Sequence, residues 1–404
     1  MKILLPTIGS RGDIQPYINL GQGLKKAGHR VTLATHPCMR ELVDFHQLEF
    51  APIGPDIDID QKAAELRQNT SHWLVGFMRV MKFGYSVVLA SSNDILTLGR
   101  DSDLFIVSDS SAGSAEADKL GIPRIAVTLQ PTRVPRRESK QSALQRIIGK
   151  FWGTVMDSLL TRPFNQHRKS LGLTKLGEEG IFSKLLTLVP VSPVVFPPDD
   201  DWPPYVHLTG YWFAEQPQGW LPPENLLKFL EKGMPPVVVS LGAMSVGNSA
   251  DALEASQIVV QAIQATGQRA ILQGWQDVLD PASLPENMLH AGSIPHGWLF
   301  EKASCVIHHG GFGTTSSGLR AGIPNIIVPH IIDQYLWGER VEKLNAGPAP
   351  IPRKQLSVER LAESLILAMQ DVKIKQSSKR IGDLIRTECG VETAVQLIEE
   401  MMTK

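Results

Sequence analysis

Residues 304–329 constrain this chain more tightly than any other stretch. A short apolar run at 304–307 is long enough for a buried parallel strand. It breaks into His308-His309-Gly310-Gly311-Phe312-Gly313-Thr314-Thr315, and a helix-like stretch follows to Gly322. A glycine-rich turn between strand and helix lets backbone amides close on an anion, and the helix N-terminus adds a favourable dipole field. The segment therefore reads as a diphosphate cradle. His309, at the mouth of the helix, can donate a further hydrogen bond to a phosphate oxygen. The next strand, 325–329, is expected to end in a polar tip at Asp333-Gln334. Ligands of open α/β sheets bind beyond the carboxyl ends of strands. A carboxylate and an amide placed there offer sugar hydroxyls both acceptors and donors. One contiguous segment thus carries a diphosphate site followed by a polyol site.

The rest of the chain repeats this grammar. At 404 residues it is too long for one ordinary domain and comfortable for two with sizeable cores. Residues 1–8 read as a buried strand, 9–13 as the loop after it, 16–27 as a helix closed by Gly28, and 30–35 as a strand. That is a Rossmann-like start. Further strands are expected at 104–107, 124–129, 186–189 and 205–208. The proline-, glycine- and tryptophan-rich stretch 210–223 reads as a linker. Strands resume at 235–241, 269–273, 288–291, 304–307 and 325–329, and the tail from 358 to 402 reads as helical. No Gly-x-Gly-x-x-Gly fingerprint opens the first half, which counts against a dinucleotide cofactor.

With these motifs set out, the chain resembles the two-domain GT-B glycosyltransferases that use UDP-sugars, in wording most similar to the sterol 3-β-glucosyltransferases. Three runs carry the likeness: Pro295-His296-Gly297-Trp298-Leu299-Phe300, the glycine-rich run from His308 to Thr315, and Asp333-Gln334-Tyr335-Leu336-Trp337-Gly338. The resemblance implies an α/β GT-B fold, two Rossmann-like domains facing across a cleft. It implies an N-terminal acceptor-binding domain at 1–210, a linker at 211–234, and a UDP-sugar-binding domain at 235–385. A final helix at 386–404 is expected to cross back onto the first domain. By the same likeness His309, Gly311, Gly313 and Thr314 match diphosphate contacts, and Asp333 and Gln334 match the pair holding the sugar. Ile294 lies where the backbone pairs with uracil, and Gly242 in the glycine loop opposite the phosphates. Asp13, in the loop Gly9-Ser10-Arg11-Gly12-Asp13, matches the general base, although its position also suits a cap of the following helix. Ser10 faces diphosphate or acceptor. The chain departs from the pattern at Ala243, where relatives often have serine, and at Ser317, where many plant relatives place a glutamate on the ribose. Asp109 occupies the place of a residue that orients the plant enzymes' histidine; beside an aspartate base it is assigned no role.

The expected reaction is an inverting transfer of glucose from UDP-glucose to an apolar alcohol, a sterol or similar aglycone, without cofactor or metal. Trp73, Phe77 and Met81, in an aromatic-rich helical stretch, are candidates to line the acceptor pocket; ordinary core packing is the alternative for them. Other aglycones (flavonoid, triterpenoid, macrolide), a UDP-sugar epimerase and a non-catalytic binding protein on the same fold are the competing readings. Asp56-Ile57-Asp58-Ile59-Asp60 and Asp199-Asp200-Asp201 read as loop and solvated turn, with no metal assigned. A net charge of −1 recruits no nucleic acid. Three scattered cysteines fit a reduced cytoplasmic protein. No signal peptide or spanning segment is expected, and a monomer is. The stretch 133–160, basic on one side and apolar on the other, reads first as an amphipathic helix on its own domain and second as an edge resting on a bilayer.

Overall fold

The structure is a computed structural model that describes residues 1–59, 62, 65–66, 73–134, 162–176, 182–213, 220–242, 250–275, 278–292 and 294–403, the side chains of 73–77 and 332 excepted. The chain divides into two compact units, Met1–Ala214 with Cys389–Lys404, and Glu215–Glu388.

The first unit is built on seven parallel strands: β1 (Lys2–Pro6), β2 (Arg30–Thr35), β3 (Glu49–Pro52), β4 (Leu104–Val107), β5 (Arg124–Val127), β6 (Thr187–Val189) and β7 (Val206–Leu208). Their order is β3-β2-β1-β4-β5-β6-β7. Its helices include α1 (Arg11–Lys26), α2 (Arg40–Phe45), α3 (Trp73–Ala90), α4 (Ser92–Gly99) and α5 (Ser114–Leu120). The second unit has β8 (Val237–Ser240), β9 (Ala270–Gln273), β10 (Met288–Ala291), β11 (Cys305–His308) and β12 (Asn325–Ile327), ordered β10-β9-β8-β11-β12. Around them lie α6 (Glu224–Glu231), α7 (Ala250–Ala265), α8 (His296–Leu299), α9 (Phe312–Ala321), α10 (Ile332–Lys343), α11 (Val358–Gln370) and α12 (Val372–Arg386). The last helix, α13 (Gly390–Met402), returns to the first unit.

Central strands such as β4 (Leu104-Phe105-Ile106-Val107) and β8 (Val237-Val238-Val239-Ser240) read as near-continuous apolar runs because both faces of their sheets are covered. In β1, Ile3 and Leu5 pack with Ile14 and Ile18 of α1 and with Ala394 and Ile398 of α13, while Leu4 packs with Val87 of α3 and Ile95 of α4. In β8, Val237 and Val239 join Val259 of α7 and Leu365 of α11; Val238 joins Phe229 of α6 and Leu299 of α8. Both strand orders reverse beside the unit's first strand, between β1 and β4 and between β8 and β11. The crevice beyond the carboxyl ends at such a switch point is where open α/β sheets take ligands.

Several expectations need correction. The strand expected at 304–307 lies one residue later, and His308 closes it fully buried. Asp333 and Gln334 are not the tip of a strand: β12 stops at Ile327, and both residues sit in the first turn of α10. The first helix begins at Arg11, so Pro16 lies inside it, and Ser10, not Asp13, is its N-cap. The stretch 211–234 is mixed: Tyr211 and Trp212 are buried and Leu226 and Phe229 of α6 enter the core, while Leu221 and Met234 are exposed. The strand β3 and helix α2 are additions to the expected elements; β3 starts on an exposed Glu49, ends on Pro52 and so offers no apolar run. Among the described residues no helix is long and apolar enough to cross a membrane. The amphipathic stretch lies outside the described residues beyond 134.

Candidate active site

Two clusters form, one at each switch point. In the second unit the chain leaves β11 at His308 and turns through Gly310, whose φ of +87° is left-handed and favours glycine. A side chain there would also strike Ile327 and the backbone of Gln334. Gly311 is the N-cap of α9 and carries no side chain to cap it. The first intrahelical bond runs from Thr315 N to Gly311 O at 2.9 Å. The amides of Gly313 and Thr314 therefore have no acceptor within the helix. Glycine inside a helix costs about 1 kcal/mol against alanine, yet a methyl on Gly313 would meet nothing within 4 Å among the described residues. Packing among the described residues does not demand this glycine.

The two adjacent histidines have separate tasks. His308 accepts from Gly310 N at Nδ1, 3.1 Å away, so its proton sits on Nε2, which donates to Asn325 Oδ1 at 3.1 Å. Burial pushes its pKa down to about 3. The ring of His309 lies between two glycines. A Cβ at Gly242 would come within 2.8 Å of its Cε1, and a Cβ at Gly311 within 3.1 Å of the same atom and closer still to Nε2. Burial lowers the His309 pKa, the Ser240 backbone pulling the other way, so the ring is neutral at pH 7. Its buried Nδ1 has no well-formed hydrogen bond among the described residues. Gly242 itself adopts φ +57° at the end of β8.

Gln334 joins this cluster through Gly310, and Asp333 precedes it in the first turn of α10. Gln334 Oε1 accepts from His330 N at 2.8 Å and Ile331 N at 3.4 Å, capping α10; the group it can turn to a ligand is its NH2. The side chain of Ile294 is buried in one core cluster with Leu299 and Phe300. Its carbonyl already accepts from Gln273 Nε2 at 3.2 Å, and one lone pair remains.

In the first unit, Asp13 folds back on the start of α1. Its Oδ2 accepts from Ser10 N and Ser10 Oγ, both at 2.8 Å. A side chain at Gly9 would overlap it. Asp13 is open to solvent by area yet hemmed in by enough protein for desolvation to raise its pKa, against the two Ser10 bonds that lower it. Asp109, given no role from sequence, belongs here. It follows β4 at the same switch point, accepts from Leu129 N at 2.8 Å and pairs with Arg133 at 3.2 Å. Burial raises its pKa, Arg133 opposes this most strongly, and the charge of Asp13 raises it further. Burial raises the pKa of the Tyr17 phenol well above its ordinary value, and the charges of Asp109 and Asp13 raise it further. The signal that marks Asp109 is positional: a carboxylate at the carboxyl end of the strand next to β1. Of the acceptor candidates, Met81 lies exposed on α3; Trp73 and Phe77 are on the same helix, with side chains outside the described residues.

Two family models match the chain, the glycosyltransferase family 28 N-terminal domain over residues 3–90 and the erythromycin biosynthesis protein CIII-like C-terminal domain over 257–401. A sterol 3-beta-glucosyltransferase of Candida albicans is 34% identical over 98% of this chain, and one of Komagataella phaffii is 34% identical over 99%. The chain spans only 27% and 34% of the length of those fungal relatives. An Arabidopsis thaliana sterol 3-beta-glucosyltransferase is 32% identical over 98% of this chain, which covers 67% of it. Among solved structures, the kitacinnamycin glycotransferase superposes with a TM-score of 0.76 at 19% identity, covering 99% of both chains. Spinosyn forosaminyltransferase does so at 0.73 and 16%, covering 100% of both. The likeness in sequence runs through both sheets and the loops at their switch points, and the chain belongs to the sterol 3-beta-glucosyltransferase family of GT-B glycosyltransferases.

Proposed function

We propose that the chain is an inverting glycosyltransferase that moves glucose from UDP-glucose to the hydroxyl of a sterol or similar apolar alcohol. The observation that carries the donor side is the His309 ring held between Gly242 and Gly311 at the uncapped N-terminus of α9. Such an arrangement of amides, helix end and imidazole N–H suits a diphosphate whose charge grows as the bond to the sugar breaks. Gly242, Gly311, Gly313, Thr314 and His309 hold the diphosphate, Ile294 pairs with the base through its backbone, and Asp333 with the Gln334 NH2 holds the sugar hydroxyls. Asp13 takes the proton of the acceptor hydroxyl as the new bond to the anomeric carbon forms. The bond from that carbon to the diphosphate oxygen breaks on the opposite face, its electron pair leaving with UDP. One displacement inverts the configuration. An Asp whose pKa is raised by burial is a better base than an ordinary carboxylate.

The sterol acceptor is supported by the names of the curated relatives and the donor by the family's motifs. Incubation with UDP-glucose and a panel of sterols, triterpenes and flavonoids is the test. The expected products are UDP and a β-glucoside of a sterol. Activity confined to free sugars or charged small molecules would remove the apolar acceptor, and an epimerised UDP-sugar without transfer would remove the reaction.

A further inference from the structure

The final residues of the three central strands of the second sheet lie in register, Gln273 of β9 beside Ser240 of β8, and Ser240 beside His308 of β11. Two residues back along each strand stand Ile271, Val238 and Val306, all in the core shared with α6 and α8. Side chains alternate along a strand, so the three polar groups end that apolar face as a row. Gln273 and His308 are buried. Each member holds a different loop. Gln273 Nε2 donates to Gly292 O at 3.3 Å and Ile294 O at 3.2 Å. Ser240 Oγ and His296 Nε2 are 3.3 Å apart. His308 Nδ1 accepts from Gly310 N.

We infer that this row is the positioning base of the donor site, with Gln273 setting the backbone that meets the nucleobase and His308 setting the glycine turn that meets the diphosphate. The inference rests on the donor reading above. Neither side chain touches the ligand; each fixes a peptide plane next to it. A loop in its binding geometry only part of the time weakens apparent affinity by that fraction. His308 suits the task because burial keeps it neutral and Asn325 holds its Nε2 proton, so Nδ1 remains an acceptor throughout the working pH range.

The test is calorimetric binding of UDP and of uridine to full-length variants, with melting curves and steady-state kinetics alongside. His308→Leu is expected to weaken UDP about tenfold, the equivalent of one lost hydrogen bond, and to leave uridine unchanged. His308→Asn keeps an acceptor near the position of Nδ1 and is expected to bind UDP within about twofold of the unaltered chain, less than 1 kcal/mol. Gln273→Met is expected to weaken UDP and uridine alike. In each weakened variant KM for the donor rises while kcat changes little. If His308→Leu does not fold, Gln273→Met still decides, because loss of uridine affinity is specific to its loop. Variants that melt earlier yet bind UDP normally, or a His308→Leu that loses uridine as much as UDP, overturn the inference alone. An unaltered chain that binds no UDP overturns the donor reading and this inference together.

Discussion

Gly311→Ala tests the placement of His309 without touching the histidine. Gly311 has φ −64° and ψ 148°, a conformation alanine adopts without strain. Among the described residues the nearest obstacle is the His309 ring, with Cε1 and Cδ2 at 3.1 Å and 3.3 Å from the new Cβ and Nε2 nearer still. Carbon atoms prefer roughly 3.5–4.0 Å, so the ring has to move by about 1 Å. On its other side a Cβ at Gly242 would also fall within 3 Å of the ring, so that side is closely filled. A displacement of that size breaks a hydrogen bond to a phosphate oxygen. Hydrogen bonds to charged groups contribute about 1.5–3 kcal/mol, so UDP affinity is expected to fall roughly tenfold or more. His309→Ala should lose as much, and the double variant should lose no more than either single one, since both remove one interaction. Calorimetry on the three folded variants measures this. Unchanged UDP affinity in Gly311→Ala, or additive losses in the double variant, would show that the His309 ring does not act on the diphosphate.

Asp13→Asn is expected to lower the transfer rate by about 10²–10⁴-fold while UDP-glucose affinity stays near that of the unaltered chain; transfer within a few-fold reduces Asp13 to a partner of the helix cap. Its folded pKa lies above the unfolded one, so it binds more protons in the native state between those two values, and stability falls as pH rises through that window. Asp13→Asn should therefore melt no earlier than the unaltered chain at pH 7, an advantage that vanishes below the unfolded aspartate pKa of about 4; a clear loss at pH 7 contradicts the desolvation argument. UDP binding is expected to survive excess chelator, because amides and His309 meet the diphosphate charge; loss of binding on chelation, restored by a divalent ion, sinks that expectation.

Residues next to one another in the chain were legible from sequence alone, because local chemistry suffices for them. A glycine-rich break between an apolar run and a helix leaves amides exposed in any fold that accepts it, so the turn and helix start at 309–314 needed no tertiary information. Strands such as Leu104–Val107 and Val237–Ser240 were legible for the same reason: a sheet covered on both faces favours near-continuous apolar runs. The division of labour between His308 and His309 was not legible. A shift of one residue in where β11 ends turns one ring into the sheet and the other toward Gly242, and only strand pairing fixes that end. Asp109 was given no role because an aspartate base needs no residue to orient it; what the sequence did not carry is the order β1-β4, which brings the loops of Asp13 and Asp109 together. The same holds for α13, whose apolar stripe has no partner nearby in the chain and finds one on α1. Local spacing determines which groups a segment can offer. Strand order, set by the burial of two sheet faces at once, decides which of those groups meet.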